Sequence, residues 1–275
     1  MSATIVRRDL TALVLSVVTV VALLASPRAV AAQNVDLTIF GGVAYPVYEE
    51  RLTFRATTPS LPGVDITAAD SPVLRADGGP VFGAAVAVEA GIFGVEGRFD
   101  SVGAGIEFSG AHYELRGTSF PFQDVTARLT APAGRFDADR ISLLSLNARI
   151  RTPGRISVIA SGGLSYLPDI TVSGSVPLTV EVPDLPALAF DARLTLRGVS
   201  GQSERRFGIN GGAGIRIGGR IALTGEVRAF YFREYELQFG STNGPELLDD
   251  LLAEADAVRF TPVFVNAQAG VSIRF

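Results

Sequence analysis

Val263-Phe-Val-Asn-Ala-Gln-Ala-Gly-Val-Ser-Ile-Arg-Phe275 decides the fold. Its odd positions read Val263, Val265, Ala267, Ala269, Val271, Ile273 and Phe275, while its even positions read Phe264, Asn266, Gln268, Gly270, Ser272 and Arg274. Alternation of this kind is the pattern of a β-strand with one apolar face, because successive side chains point to opposite sides. An aromatic closing an apolar stripe at Phe275 is unlike the solvated, frayed ends of most soluble chains.

Outward from this stretch, seven more segments repeat the pattern. The first runs from about Val35 to Tyr45, with Val35, Leu37, Ile39, Gly41, Val43 and Tyr45 on one face. A second and third meet at Ala90-Gly91, with apolar faces Phe82, Ala84, Val86, Val88 and Phe93, Val95, Gly97, Phe99. A fourth and fifth meet at Thr152-Pro153-Gly154, a good turn sequence. Leu144, Leu146, Ala148 and Ile150 precede that turn, and Ile156 through Leu164 and Tyr166 follow it at alternate positions. A sixth and seventh turn at Gly218-Gly219, carrying Phe207 to Ile217 and Ile221 to Tyr231 on their apolar faces.

Three of the connections are tight, and four are long, near 46–80, 101–140, 167–206 and 232–259. Short turns at one end and long loops at the other are how transmembrane barrels are arranged. The predicted fold is therefore all-β: an eight-stranded antiparallel up-and-down transmembrane β-barrel with long extracellular loops. The charged residues within the strands are Asp36, Glu89, Glu96, Arg98, Arg149, Arg151, Arg216, Glu226, Arg228 and Arg274, and each lies opposite the apolar stripe. Glu89, Glu96, Arg98, Arg149, Arg216, Glu226 and Arg228 are read as a lumen charge network, with Glu96-x-Arg98 and Glu226-x-Arg228 as members of it, since buried charges demand partners. An eight-strand interior is just wide enough for side chains, so the lumen is expected to be plugged. A network holding the barrel together is the plainer reading; a narrow gated ion path is the sharper one. Tyr45, Phe82, Phe99, Tyr166, Phe207 and Tyr231 end apolar stripes on the loop side, as an outer aromatic girdle would. A secreted soluble barrel of lipocalin type is the rival all-β reading.

Composition agrees with export. Arg7 and Arg8 precede an apolar run from Leu10 to Ala25, Pro27 breaks it, and Ala29-Val30-Ala31 supplies small residues for cleavage. Residues 1–32 are read as a cleaved signal peptide and 33–275 as the barrel domain. The arginine pair invites a twin-arginine reading, but ordinary secretion fits the very apolar run better. The chain has no cysteine, which excludes disulfide and thiolate chemistry, and all 24 basic residues are arginine. Removing Arg7, Arg8, Arg28 and Asp9 with the leader leaves 21 arginines against 27 acids. No basic face points to nucleic acid.

The terminal Phe with apolar residues at alternate positions before it resembles the assembly signal of bacterial outer-membrane barrels, here Val271, Ile273 and Phe275. Over residues 33–275 the chain resembles the small porin-like barrels of Gram-negative bacteria that include the OmpA transmembrane domain and OmpW-like proteins. That resemblance implies outer-membrane localisation, outer-membrane lipid as surroundings and the barrel-assembly machinery as a partner during biogenesis. It also implies a structural or surface-interaction role, with a conduit for a small hydrophobic molecule as the alternative and a lipid-modifying enzyme third.

Signals for chemistry are sparse. The single histidine, His112, has no serine two residues away, and no catalytic residue, metal site or cofactor is assigned. Gly212-Ala213-Gly214 mimics the start of a dinucleotide fingerprint, but Ile217 stands where the third glycine belongs. Asp137-Ala138-Asp139, Asp65, Asp70 and Asp77 lack the spacing of an EF-hand. Ile170–Val176, Ala189–Leu196 and Gly105–Phe108 alternate like strands, so tall hairpins above the membrane are expected, or a cleft for a small apolar ligand. Between Pro245 and Val258, Leu247, Leu248, Leu251, Leu252, Ala255 and Val258 recur at helical spacing. A short amphipathic helix is predicted there, packed on its own loops or on a partner.

Overall fold

A computed structural model describes residues 33–51, 63–70, 72–118, 123–168, 172–198, 206–246, 248–249, 252 and 258–275. The leader, Ile170, Leu247, Leu251 and Ala255 lie outside the described residues. The chain forms a closed antiparallel barrel of eight strands and, beyond one rim, a second sheet.

The barrel strands are β1 (Gln33–Pro46), β5 (Gly79–Ala90), β6 (Phe93–Phe108), β9 (Gly134–Arg151), β10 (Ile156–Tyr166), β14 (Phe207–Gly218), β15 (Ile221–Phe232) and β18 (Val263–Arg274). Each pairs with its neighbour in the chain, and β18 returns to β1. The closing register sets Leu37 beside Ile273, Ile39 beside Val271 and Asp36 beside Arg274. At the Ala90-Gly91 turn, Gly91 has φ +64°, a conformation that costs glycine little.

Parity is fixed by burial. Outward residues such as Ile39, Leu164 and Leu223 are 63–67% exposed, whereas Asp36, Arg228 and Asn266 opposite them are fully buried. The interior has two halves. Toward the tight turns it holds the charged and amide side chains. Toward the loops it is filled by Phe40, Ala44, Val81, Val102, Leu143, Phe230, Phe232 and Phe264. These apolar residues share the inward parity of the charges.

The four long connections are mostly folded. Three short strands, β2 (Glu49–Arg51), β4 (Val73–Asp77) and β11 (Val172–Ser173), extend the barrel sheet. Seven others form a sheet of their own: β3 (Val64–Asp70), β7 (Ala111–Gly117), β8 (Thr126–Ala131), β12 (Val176–Glu181), β13 (Phe190–Gly198), β16 (Tyr235–Thr242) and β17 (Val258–Phe260). Its order, β17-β16-β13-β12-β8-β7-β3, takes the fourth, third, second and first connections in turn, the order in which they stand around the barrel mouth.

Of the tall hairpins the sequence predicts, among the described residues β6 and β9 form the longest, pairing past the barrel to Phe108 and Gly134 after a register shift between Val102 and Ala104, with β4 and β11 alongside. Elsewhere the chain breaks at Ser109-Gly110 or Arg233-Glu234 and swings into the second sheet. There its apolar face joins the barrel's interior in one continuous core through Leu178, Leu194, Leu196, Leu237 and Phe239. Burying that face in common outweighs continuing each hairpin with an apolar side left in water.

The leucine-rich segment is helical at Glu246, Leu248, Asp249 and Leu252, with Leu248 and Leu252 in this core. The helix expected to run to Val258 stops short, because Val258 opens β17 opposite Leu237. Asp249 anchors the turn, accepting hydrogen bonds from the Ser241 backbone N–H (2.7 Å) and hydroxyl (2.8 Å) on β16. Those two bonds hold its carboxyl below the ordinary aspartate range.

Candidate functional site: the charged lumen and the apolar wall

Inward parity on β1, β5, β6, β9, β14, β15 and β18 brings the charged residues together inside the turn-side half of the barrel. The group nearest the turns centres on Asp36. Arg274 donates to it from Nε (2.9 Å) and Nη2 (2.8 Å), Arg151 donates at 3.3 Å, and Arg216 and Arg149 stand 3.8 and 4.0 Å away. Glu89 lies beside it, 3.2 Å from Arg149, 3.1 Å from Arg151 and 3.8 Å from Arg274. None of those contacts gives Glu89 a well-directed hydrogen bond.

Further in, Glu96 accepts from Arg149 (3.1 Å), Arg228 (3.0 Å) and the Asn147 amide (3.0 Å). Arg228 also donates from Nε to Glu226 (2.7 Å) and bonds Asn210 and Ser161. Asn210 donates on to Asn147 (2.8 Å) and Ser165 (2.9 Å), and Ser165 meets Ser145 at 2.8 Å. A Cβ on Gly212 would lie 2.6 Å from Glu226 Oε1, so a larger residue there would displace that carboxylate.

The innermost pair is Arg98 with Asp100, joined by two bonds of 2.8 and 2.9 Å, with Glu226 at 3.1 Å. Asp100 lies outside the sequence-derived set, whose third strand ends at Phe99. The alternation Glu96, Arg98, Asp100 was there to extend it. The Arg98 guanidinium lies over the Phe40 ring at 4.0 Å, the boundary where the charged half gives way to the apolar half.

The arrangement is a stack of ion pairs and amides capped by a plug of aromatic and aliphatic side chains. Chemically it can hold strands together and exclude passage. On β18, Asn266, Gln268 and Ser272 also face inward and are buried.

The predicted girdle residues point out of the wall. Tyr45, Phe82, Phe99, Phe207 and Tyr231 are 42–59% exposed, and Tyr166 packs tilted on Phe207 across strands at 5.1 Å. Phe82 and Phe99 sit within their strands, not at the ends, because β5 begins at Gly79 and β6 runs to Phe108. Of the predicted assembly positions, Val271, Ile273 and Phe275 face outward, and the Phe275 backbone bonds to Val35 in both directions.

His112 is an exposed residue of β7 in the second sheet, with Nδ1 3.3 Å from Thr130 Oγ1, while the charged lumen is built from barrel strands. Asp77 and Asp137 are both held by Arg135. Among the described residues no group of three or more His, Asp or Glu side chains is placed to hold a metal ion. No known family model matches the chain, and comparison with curated proteins finds no relative.

Proposed function

We propose that this chain is a bacterial outer-membrane barrel with a structural and surface-display role: a plugged, non-enzymatic anchor that holds its second sheet outside the cell. One observation carries this reading. The wall is turned inside out relative to a soluble barrel, with aliphatic side chains exposed and the arginine–carboxylate network enclosed. A lipocalin-type barrel in water would place these two sets the other way round. Parity in the sequence separates two faces but does not say which is inside, so burial is the deciding information.

The dimensions also suit a bilayer. Along β15 the outward stripe runs from Ile221 to Tyr231. At about 3.3 Å per residue and a strand tilt of about 40°, it forms a band about 25 Å tall. The leader, the girdle and the alternating stripe through Val271, Ile273 and Phe275 support an exported protein inserted by the barrel-assembly machinery into outer-membrane lipid, akin to the OmpA- and OmpW-like barrels. The enclosed ion pairs and the aromatic plug argue for an anchor over an open channel.

Val227, outward and 56% exposed, lies near the middle of the stripe on β15. Val227→Arg should cost about 2–4 kcal/mol in lipid, read as a lower urea midpoint for the barrel in vesicles. In a water-facing wall the same change would be nearly neutral. A signal-free protein that stays soluble and monomeric in buffer would overturn the membrane reading outright.

A further inference from the structure

The apolar face of the second sheet is not packed as one piece. Its main part joins the barrel core under Leu248 and Leu252, while Val64, Tyr113 and Leu115 form a separate small cluster on β3 and β7. Between the two lies a cavity of about 520 Å³. Val64 from the first connection, Leu115 and Leu129 from the second, Val180 and Phe190 from the third and Leu248 from the fourth all line it. None of its lining residues is charged or carries a side-chain hydroxyl or amide.

We infer that this cavity is a binding site for a small, uncharged apolar molecule taken up from outside the barrel. Its volume falls within the roughly 300–1,000 Å³ typical of small-molecule sites. The lining offers no partner for a charge, a sugar hydroxyl or a phosphate, each of which would be desolvated without compensation. Entry is on the side of the single-turn 3-10 helix Pro186–Leu188, where Leu188 lines the cavity and is yet 58% exposed. Leu188 and its neighbour Leu185, 44% exposed, are the only large hydrophobics of the second sheet and its turns exposed to this degree among the described residues. The rest of that class belongs to the barrel wall and its rims. Apolar exposure outside the wall is thus concentrated at the mouth of the apolar cavity, as a recognition surface requires.

The site extends the surface-display reading, and its test works whether or not that reading holds. The full chain, held in lipid nanodiscs, is titrated with 1-aminoanthracene, an uncharged fluorophore, against empty nanodiscs. One saturable site per chain is expected. Ala127→Trp, which fills the cavity from β8, should weaken binding by about tenfold or more. Leu188→Asp, at an exposed position that cannot compromise the core, should weaken it by about three- to fivefold. Retained heat-modifiable mobility shows that each variant is folded; if Ala127→Trp fails to fold, Leu188→Asp decides. Uptake equal to that of empty discs, or saturable binding unchanged in the folded variants, overturns the inference. A chain that needs no membrane can be titrated in buffer, so loss of the anchor reading and loss of the site register separately.

Discussion

Glu96→Ala tests whether burial, not proximity, gives the lumen network its strength. Glu96 and its partners Arg149 and Arg228 have side chains no more than 4% exposed. Removing the carboxylate takes a shared acceptor from two buried guanidinium groups and the Asn147 amide. Loss of one partner from a buried pair costs about 3–5 kcal/mol, between about a hundredfold and a few thousandfold in the folding constant. Glu49 supplies the control: it meets Arg75 at 2.8 Å, closer than either Glu96 contact, but the side chains are 52% and 62% exposed. Glu49→Ala should therefore cost only about 0–1 kcal/mol. Urea titration of the barrel in vesicles, followed by gel mobility and circular dichroism, reads both as midpoint shifts at constant slope. The double variant Glu96→Ala/Arg228→Ala should lose less than the sum of its singles, because each single strands the other's charge. Equal losses for Glu96 and Glu49, or additivity within about 0.5 kcal/mol, would refute the reasoning.

In planar bilayers the native chain should pass little current, and replacing both Phe40 and Arg98 with alanine should raise it by removing the stack at the plug's base; large steady native channels would contradict a filled interior. Acid should release the leucine turn of the fourth connection. Because Asp249 is held low by Ser241, its contribution is intact above the ordinary value of 3.8 and is lost as pH falls through the lower folded-state value. Proteolysis near residues 245–252 should rise there, and Asp249→Asn should show the rise already at neutral pH; identical cleavage of both forms at every pH would remove the anchor's role.

The barrel was legible in the sequence because its outward stripe meets a single requirement along every strand. Ile39, Leu164, Leu223 and Val271 need only be apolar, so period-two alternation survives without interruption. The inward face answers to two neighbourhoods, charged at Asp36 and Glu96 and apolar at Phe40, Phe230 and Phe264, so its composition changes along a strand and resembles no simple template. The charge set could be placed by parity, but its pairings could not. Arg98 bonds Asp100 two residues on, whereas Arg228 reaches Glu96 across the lumen, and only the closed barrel brings the latter together. The second sheet was hidden for a similar reason. Val176–Glu181 and Phe190–Gly198 alternate as strands should, yet their further partners lie on β8 and β16, in other connections. Local periodicity does not record which ladder a strand will join.

The seam between the two ends of the barrel carries its own proofreading. Asp36 stands on the first strand, and the bidentate donor that satisfies it, Arg274, stands directly opposite on the last. Until those edges meet, an enclosed carboxylate lacks its best counter-charge, so an arrested, gaping intermediate is penalised and the sealed state is selected. A slip of one residue in the final zipping would turn Arg274 to the outer face of the wall and forfeit the same bond. The rate of sealing should therefore fall in Arg274→Gln while earlier hairpin formation is unchanged, a difference that time-resolved gel-mobility folding assays can register. Charge here acts as a latch that recognises its own closure.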